Sequence, residues 1–121
     1  MIDLIPVKTA LAGIQSRLDV LRTALKLESG QKRITEIEAR MGEPNFWSNQ
    51  EAAQKLIDEL KGIKAISVPF EAVSRNLADA AEFLAMAEAE NDEATAEQTA
   101  AEVEKISVAV AQLDTRALLC G

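Results

Sequence analysis

Three stretches of this chain place apolar residues at alternating intervals of three and four. The first runs Leu4, Val7, Leu11, Ile14, Leu18, Leu21, Leu25. The longest runs Ile63, Ile66, Phe70, Val73, Leu77, Ala80, Leu84, Ala87, with Leu56 and Leu60 leading in. The last runs Val103, Ile106, Val110, Leu113, Ala117, Cys120. Such spacing puts all the side chains of a run on one stripe of an α-helix, and a strand, whose faces alternate every second residue, cannot use it. A stripe of this kind must be buried against other stripes, so the pattern predicts an all-α fold: an elongated antiparallel bundle built on a coiled-coil-like hairpin of long helices. Stripes like these are core seams rather than ligand boxes.

The breaks between seams set the expected boundaries within one domain, residues 1–121. Pro6 suits a first helical turn, where its missing N–H costs nothing, and the first helix is expected over about 6–27. At Glu28-Ser29-Gly30 the seam turns polar and Gly30 suits a helix end. A second helix is expected over about 31–41, with Ile34, Ile37 and Met41 on one face; the alternative is a continuous helix with a register shift. A long helix is expected over about 50–89. Pro69 lies inside it, where it removes a hydrogen bond and crowds the preceding turn. A kink or break near 65–69 is therefore expected, with Gly62 softening the same region. Glu90-Asn91-Asp92-Glu93 forms the next corner. Asn91 or Asp92 can cap the last helix, expected over about 93–119.

One short stretch escapes the helical pattern: Gly42-Glu43-Pro44-Asn45-Phe46-Trp47-Ser48-Asn49. Gly42 and Pro44 stop the preceding helix. Ser48 and Glu51 have the spacing of a capping box, in which the hydroxyl takes a backbone N–H and the Glu reaches back. Phe46 and Trp47 lie between stop and start, and Trp47 is the only Trp. The expectation is a structural corner of Pro44, Phe46, Trp47, Ser48 and Glu51, with Trp47 an anchor of the core; a partner-binding corner is the alternative.

Charge divides the chain. Residues 1–75 carry 11 Lys/Arg against 10 Asp/Glu, whereas residues 76–121 carry only Lys105 and Arg116 against 10 acids, a net of −8. An acidic half repels phosphates and is a poor direct binder of nucleic acid. It serves either as a solvated face that keeps the domain soluble or as a docking face for a basic protein. Glu88, Glu90, Asp92 and Glu93, at the hairpin tip, are the candidate docking residues.

The chain has no His, no Tyr and a single Cys. The usual acid–base and nucleophilic constellations cannot be assembled from what remains, no Cys/His set can hold zinc, and no Gly-rich phosphate loop occurs. No catalytic, cofactor-binding or metal-binding residue is assigned. No apolar run reaches the roughly 18 residues of a membrane span. Met1-Ile2-Asp3-Leu4-Ile5-Pro6 lacks the basic-then-apolar order of a secretory signal, and Cys120 has no internal disulfide partner, so a reducing, cytoplasmic setting is expected. The apolar ending Leu118-Leu119-Cys120-Gly121 is read as the point where a further domain follows. Pattern and charge together leave binding or scaffolding as the role.

Three groups of residues carry a family resemblance. Leu18-Asp19-Val20-Leu21-Arg22, then Glu38-Ala39-Arg40-Met41-Gly42-Glu43-Pro44-Asn45-Phe46-Trp47-Ser48-Asn49 with Ala52-Ala53-Gln54-Lys55-Leu56, and finally the acidic corner Phe83 to Glu93, resemble the N-terminal domain of the bacterial peptide chain release factor 2 family. The resemblance covers nearly the whole chain. It implies a class I release factor that acts at UGA and UAA codons and triggers hydrolysis of peptidyl-tRNA. It implies partners at the ribosomal GTPase-associated region and in the GTPase release factor, with no cofactor and no membrane, most simply as a monomer. The family's codon-reading Ser-Pro-Phe and catalytic Gly-Gly-Gln do not occur in this sequence. Ser67-Val68-Pro69-Phe70 has an extra Val, and Ser29-Gly30-Gln31 lacks the first Gly. No catalysis is expected of this chain, and no contact residue is carried over. The alternative is a stand-alone helical coiled-coil adaptor or dimerisation module.

Overall fold

A computed structural model describes residues 3–120, and of Cys120 only the backbone. Four α-helices make up the fold: α1 (Ile5–Ala24), α2 (Leu27–Met41), α3 (Gln50–Glu90) and α4 (Glu93–Cys120), with a 3-10 turn at Phe46–Ser48. No strand occurs among the described residues.

α3 is the spine. Its 41 residues reach about 60 Å at 1.5 Å per residue. α2 packs on its first half, and α1 and α4 pack on its second half. The main core joins Ile14, Leu18 and Leu21 of α1 to Phe70, Val73 and Leu77 of α3 and to Val103, Ile106, Val110 and Leu113 of α4. Each of these residues belongs to one of the three seams. A smaller cluster at the hairpin end joins Leu4, Leu84, Ala87 and Ala96, and another under α2 joins Ile34, Ile37 and Leu60. α1 starts beside the hairpin end, where Lys8 pairs with Glu88 at 2.6 Å, and runs parallel to α4 until Arg17 pairs with Asp114. That hydrogen bond holds the Arg17 guanidinium above its ordinary pKa. The seam position Cys120 has a side chain outside the described residues.

The first boundary lies earlier than the polar break predicts. α1 ends at Ala24, and the turn is made at Lys26, which takes the left-handed conformation with φ 54° and ψ 47°. The early turn lets Leu27 enter the main core; a continuous seam would have put Glu28 there. Gly30 sits inside α2, not at a helix end, and a Cβ on it would stand 3.3 Å from Ile63 Cγ2. Its bareness lets α2 lie close on α3. Beside it, Arg33 reaches Glu59 with two bonds of 2.5 and 2.9 Å. This pairing holds the Glu59 carboxyl below its ordinary range and pushes the Arg33 guanidinium up.

Of the kink or break expected at Pro69, the break does not occur: the helix is continuous from Gln50 to Glu90. A proline at position 69 withholds the N–H that would bond the carbonyl four residues back, at Ala65. That carbonyl has another donor, because the Arg116 guanidinium of α4 donates to it. Phe70 on the next position is fully buried, with Arg22 of α1 over its ring at 4.9 Å from the centroid. Packing on both sides thus supports the helix where its own ladder has a gap.

Candidate functional site

The two ends of the spine hold the residues singled out from sequence. At the first end, the 3-10 turn directs Phe46 and Trp47 differently. Successive side chains of such a turn point about 120° apart, given three residues per turn, so only one ring can face the core. Phe46 takes that place and is buried, while Trp47 is 58% exposed. Trp47 instead lies against the Phe46 ring, with centroids 4.9 Å apart and planes at 88°, an edge-to-face contact. The expectation that Trp47 anchors the core is therefore corrected.

The capping residue is corrected as well. Asn49, not Ser48, caps α3: its side chain accepts from the Ala52 N–H at 3.1 Å. Ser48 is committed to the 3-10 turn, its N–H bonded to Asn45 O at 3.1 Å. Asn49 has the extended backbone, φ −115° and ψ 96°, that an N-cap needs. Glu51 lies in the first turn, where its charge suits the positive helix end. Pro44 is exposed in the connecting bend.

At the other end, α3 and α4 meet through Asn91, in the left-handed conformation at φ 54°. The Asp92 N–H returns to Ala87 O at 2.9 Å. Asp92 then caps α4, accepting from the Thr95 N–H at 3.1 Å and the Thr95 hydroxyl at 2.7 Å. The hydroxyl bond and then the backbone bond hold the Asp92 carboxyl below its ordinary range. The four acids expected at the tip therefore have different surroundings. Glu88 is tied to Lys8, Asp92 is a structural cap, Glu93 lies in the first turn of α4, and Glu90 is exposed. Reversing all four charges would remove the cap and the Lys8 pairing, so that substitution is not neutral for the fold.

Two apolar residues missed from sequence lie near these acids. Phe83 and Met86 of α3 are 53% and 55% exposed. They flank an open groove of about 620 Å³ between α3 and α4. The signal was present: Phe83 stands one place off the seam position Leu84, and Met86 one place off Ala87. Large apolar side chains out of register on an acidic helix cannot reach the core that the seam builds. Asp79, Glu90 and Glu102 also line the groove, and no Lys or Arg does. Among the described residues no three His, Cys, Asp or Glu side chains gather as a metal site, and no helix is long and apolar enough to cross a membrane.

A model of the PCRF domain matches residues 30–120. The chain belongs to the PCRF domain family. This is a domain of class I peptide chain release factors, the proteins of translation termination, and membership implies interaction with the ribosome in general. The matched stretch takes in α3, α4, the 3-10 turn and nearly all of α2, so the corner and the acidic groove both fall within the PCRF domain.

Proposed function

We propose that this PCRF domain is the N-terminal partner-binding domain of a release factor 2 type protein, which acts at UGA and UAA codons in the cytoplasm. It performs no chemistry itself. Residues 1–121 contain neither Ser-Pro-Phe nor Gly-Gly-Gln. The observation that carries the reading is the acidic α3–α4 end: Asp79, Glu90, Asp92 and Glu102 line a groove with exposed Phe83 and Met86, within a stretch, residues 76–121, of net charge −8. Such a surface steers encounter with a basic partner. The partners proposed are the ribosomal GTPase-associated region and the GTPase release factor, met by a monomer.

Of the tip acids, Glu90 is the one to test, since Glu88 is held by Lys8, Asp92 caps α4 and Glu93 lies in the first turn of α4. In the intact factor, Glu90→Lys should slow association with ribosomes carrying UGA in the decoding site. The defect should shrink as salt rises, because exposed charges are screened over about 8–10 Å near physiological salt. Stopped-flow association at two salt concentrations measures this. An unchanged rate at low salt would assign the acidic tip to solubility alone. The 121-residue chain by itself should release no peptide from such ribosomes, and sequencing past codon 121 should find an open frame encoding Gly-Gly-Gln.

A further inference from the structure

The groove between the second half of α3 and the start of α4 has a definite shape and charge. Its floor includes Ala80 and Ala87, each only 2% exposed. They stand seven residues apart, two helical turns or about 10 Å along the axis. Both are already packed, Ala80 in the main core and Ala87 in the Leu4 cluster, so the open apolar surface of the groove is that of Phe83 and Met86, three residues apart on one face of α3, a spacing that the apolar stripe of a neighbouring helix can match. α1 lies along the hairpin through Leu4, Leu84, Ala87 and Ala96, but it leaves Phe83 and Met86 half exposed. An extended peptide gains nothing here, since strand addition needs a free sheet edge and helices offer none.

The rim selects the occupant. Asp79, Glu90 and Glu102 line it without a compensating cation. Nucleic acid is repelled. A second copy of this chain would bring the same acids face to face, at a net charge of −7 each. A helix with an apolar stripe flanked by Lys or Arg satisfies both the apolar pair and the rim. We propose that this groove docks a cationic amphipathic helix of a partner protein, with Phe83 and Met86 as its apolar anchors. The proposal rests on the partner-binding role above and gives that role a ligand chemistry. Met86, unbranched and polarisable, can adapt to the side chains it meets, while Phe83 supplies the larger rigid surface.

The probe is a synthetic peptide of about three heptads, with Leu at the seam positions, Lys at the flanks and a fluorescent label. Anisotropy titration against the 121-residue chain should show saturable binding. Phe83→Ser with Met86→Ser should weaken it about tenfold or more, as loss of central apolar anchors does. Val20→Ser with Val108→Ser, which alters two equally exposed apolar residues elsewhere, should leave it unchanged. A peptide of the same composition in scrambled order should bind at least about tenfold more weakly. Equal affinity for the scrambled peptide, or indifference to Phe83→Ser with Met86→Ser, would reduce the interaction to bulk charge and overturn the proposal. Self-association of the chain abolished by Phe83→Ser would overturn it in favour of a second copy. The two readings fail separately. Groove-dependent peptide binding alongside unaltered ribosome association of the Glu90→Lys factor refutes the ribosomal role and keeps the groove. The reverse pattern refutes the groove and keeps the ribosomal role.

Discussion

Removing the Arg116 side chain tests how α3 passes through a proline without breaking. In a helix interior proline costs about 3 kcal/mol relative to Ala, partly through the hydrogen bond it cannot donate. In this fold the deprived carbonyl is that of Ala65, and the Arg116 guanidinium donates to it from α4. A hydrogen bond to a charged group contributes about 1.5–3 kcal/mol, and an ordinary one about 0.5–1.5. Ala65 and Arg116 are both exposed, so water can replace the lost donor and the lower range applies. Arg116→Ala should therefore destabilise by about 1 kcal/mol, a fall in Tm of roughly 3–6 °C for a domain of this size. Part of that loss is the packing of the aliphatic stem, which does not depend on Pro69. The double-mutant cycle separates the two. Pro69→Ala restores the N–H to Ala65, so the same Arg116→Ala change in that background should cost less, with a coupling energy of about 0.5–1 kcal/mol. Urea unfolding of the four proteins, followed by far-UV circular dichroism, gives all the terms. If Arg116→Ala costs the same with Pro and with Ala at position 69, the guanidinium does not substitute for the missing donor and the explanation fails.

At the corner, Phe46→Ala should destabilise by about 3 kcal/mol as a buried ring lost, whereas the exposed Trp47→Ala should cost under about 1 kcal/mol; melting curves that reverse this order would refute the assignment of the inner ring. Lys26→Gly should stabilise by about 0.5–1 kcal/mol, since Lys26 holds a left-handed conformation that costs an L-residue more than glycine; equal or lower stability in urea would show that its contacts outweigh its backbone. The carboxyls of Asp92 and Glu59 are depressed below ordinary values of 3.8 and 4.5, so their contribution is fully present above those values and is lost as pH falls through the folded-state values. The stability gap between wild type and Asp92→Asn with Glu59→Gln should accordingly narrow as pH falls below about 4, and thermal melts showing the same gap at neutral and strongly acidic pH would exclude these two groups as its source.

The seams were legible because helical burial repeats locally. Wherever Leu, Ile, Val or Phe recur every three or four residues, the stripe they form has to face a partner, whatever that partner is. Thus Leu18, Leu21, Phe70, Val73, Leu77, Ile106 and Leu113 could be assigned to the core from order alone, and all are buried. The hairpin corner at Asn91 and Asp92 was legible for the same local reason, since left-handed turns and helix caps are chosen by side chains within a few residues of themselves. The acid surplus around it is likewise a property of composition.

Other features depended on neighbours that no local rule specifies. Phe46 and Trp47 are adjacent aromatics with similar preferences, and only the approach of the 3-10 turn to α3 decides which ring turns inward. Ser48 and Asn49 are both good caps, and the choice followed from which residue the turn left extended. The position of the first break was decided by the room for Leu27 in the main core, and the bareness of Gly30 was spent on the approach to Ile63 rather than on a helix end. The continuity of α3 was decided farthest away in sequence: the Ala65 carbonyl is supplied by Arg116, 51 residues on. A helix seam can be read from residues a turn apart, but a hydrogen bond that mends a gap from a second helix exists only once the two helices are side by side.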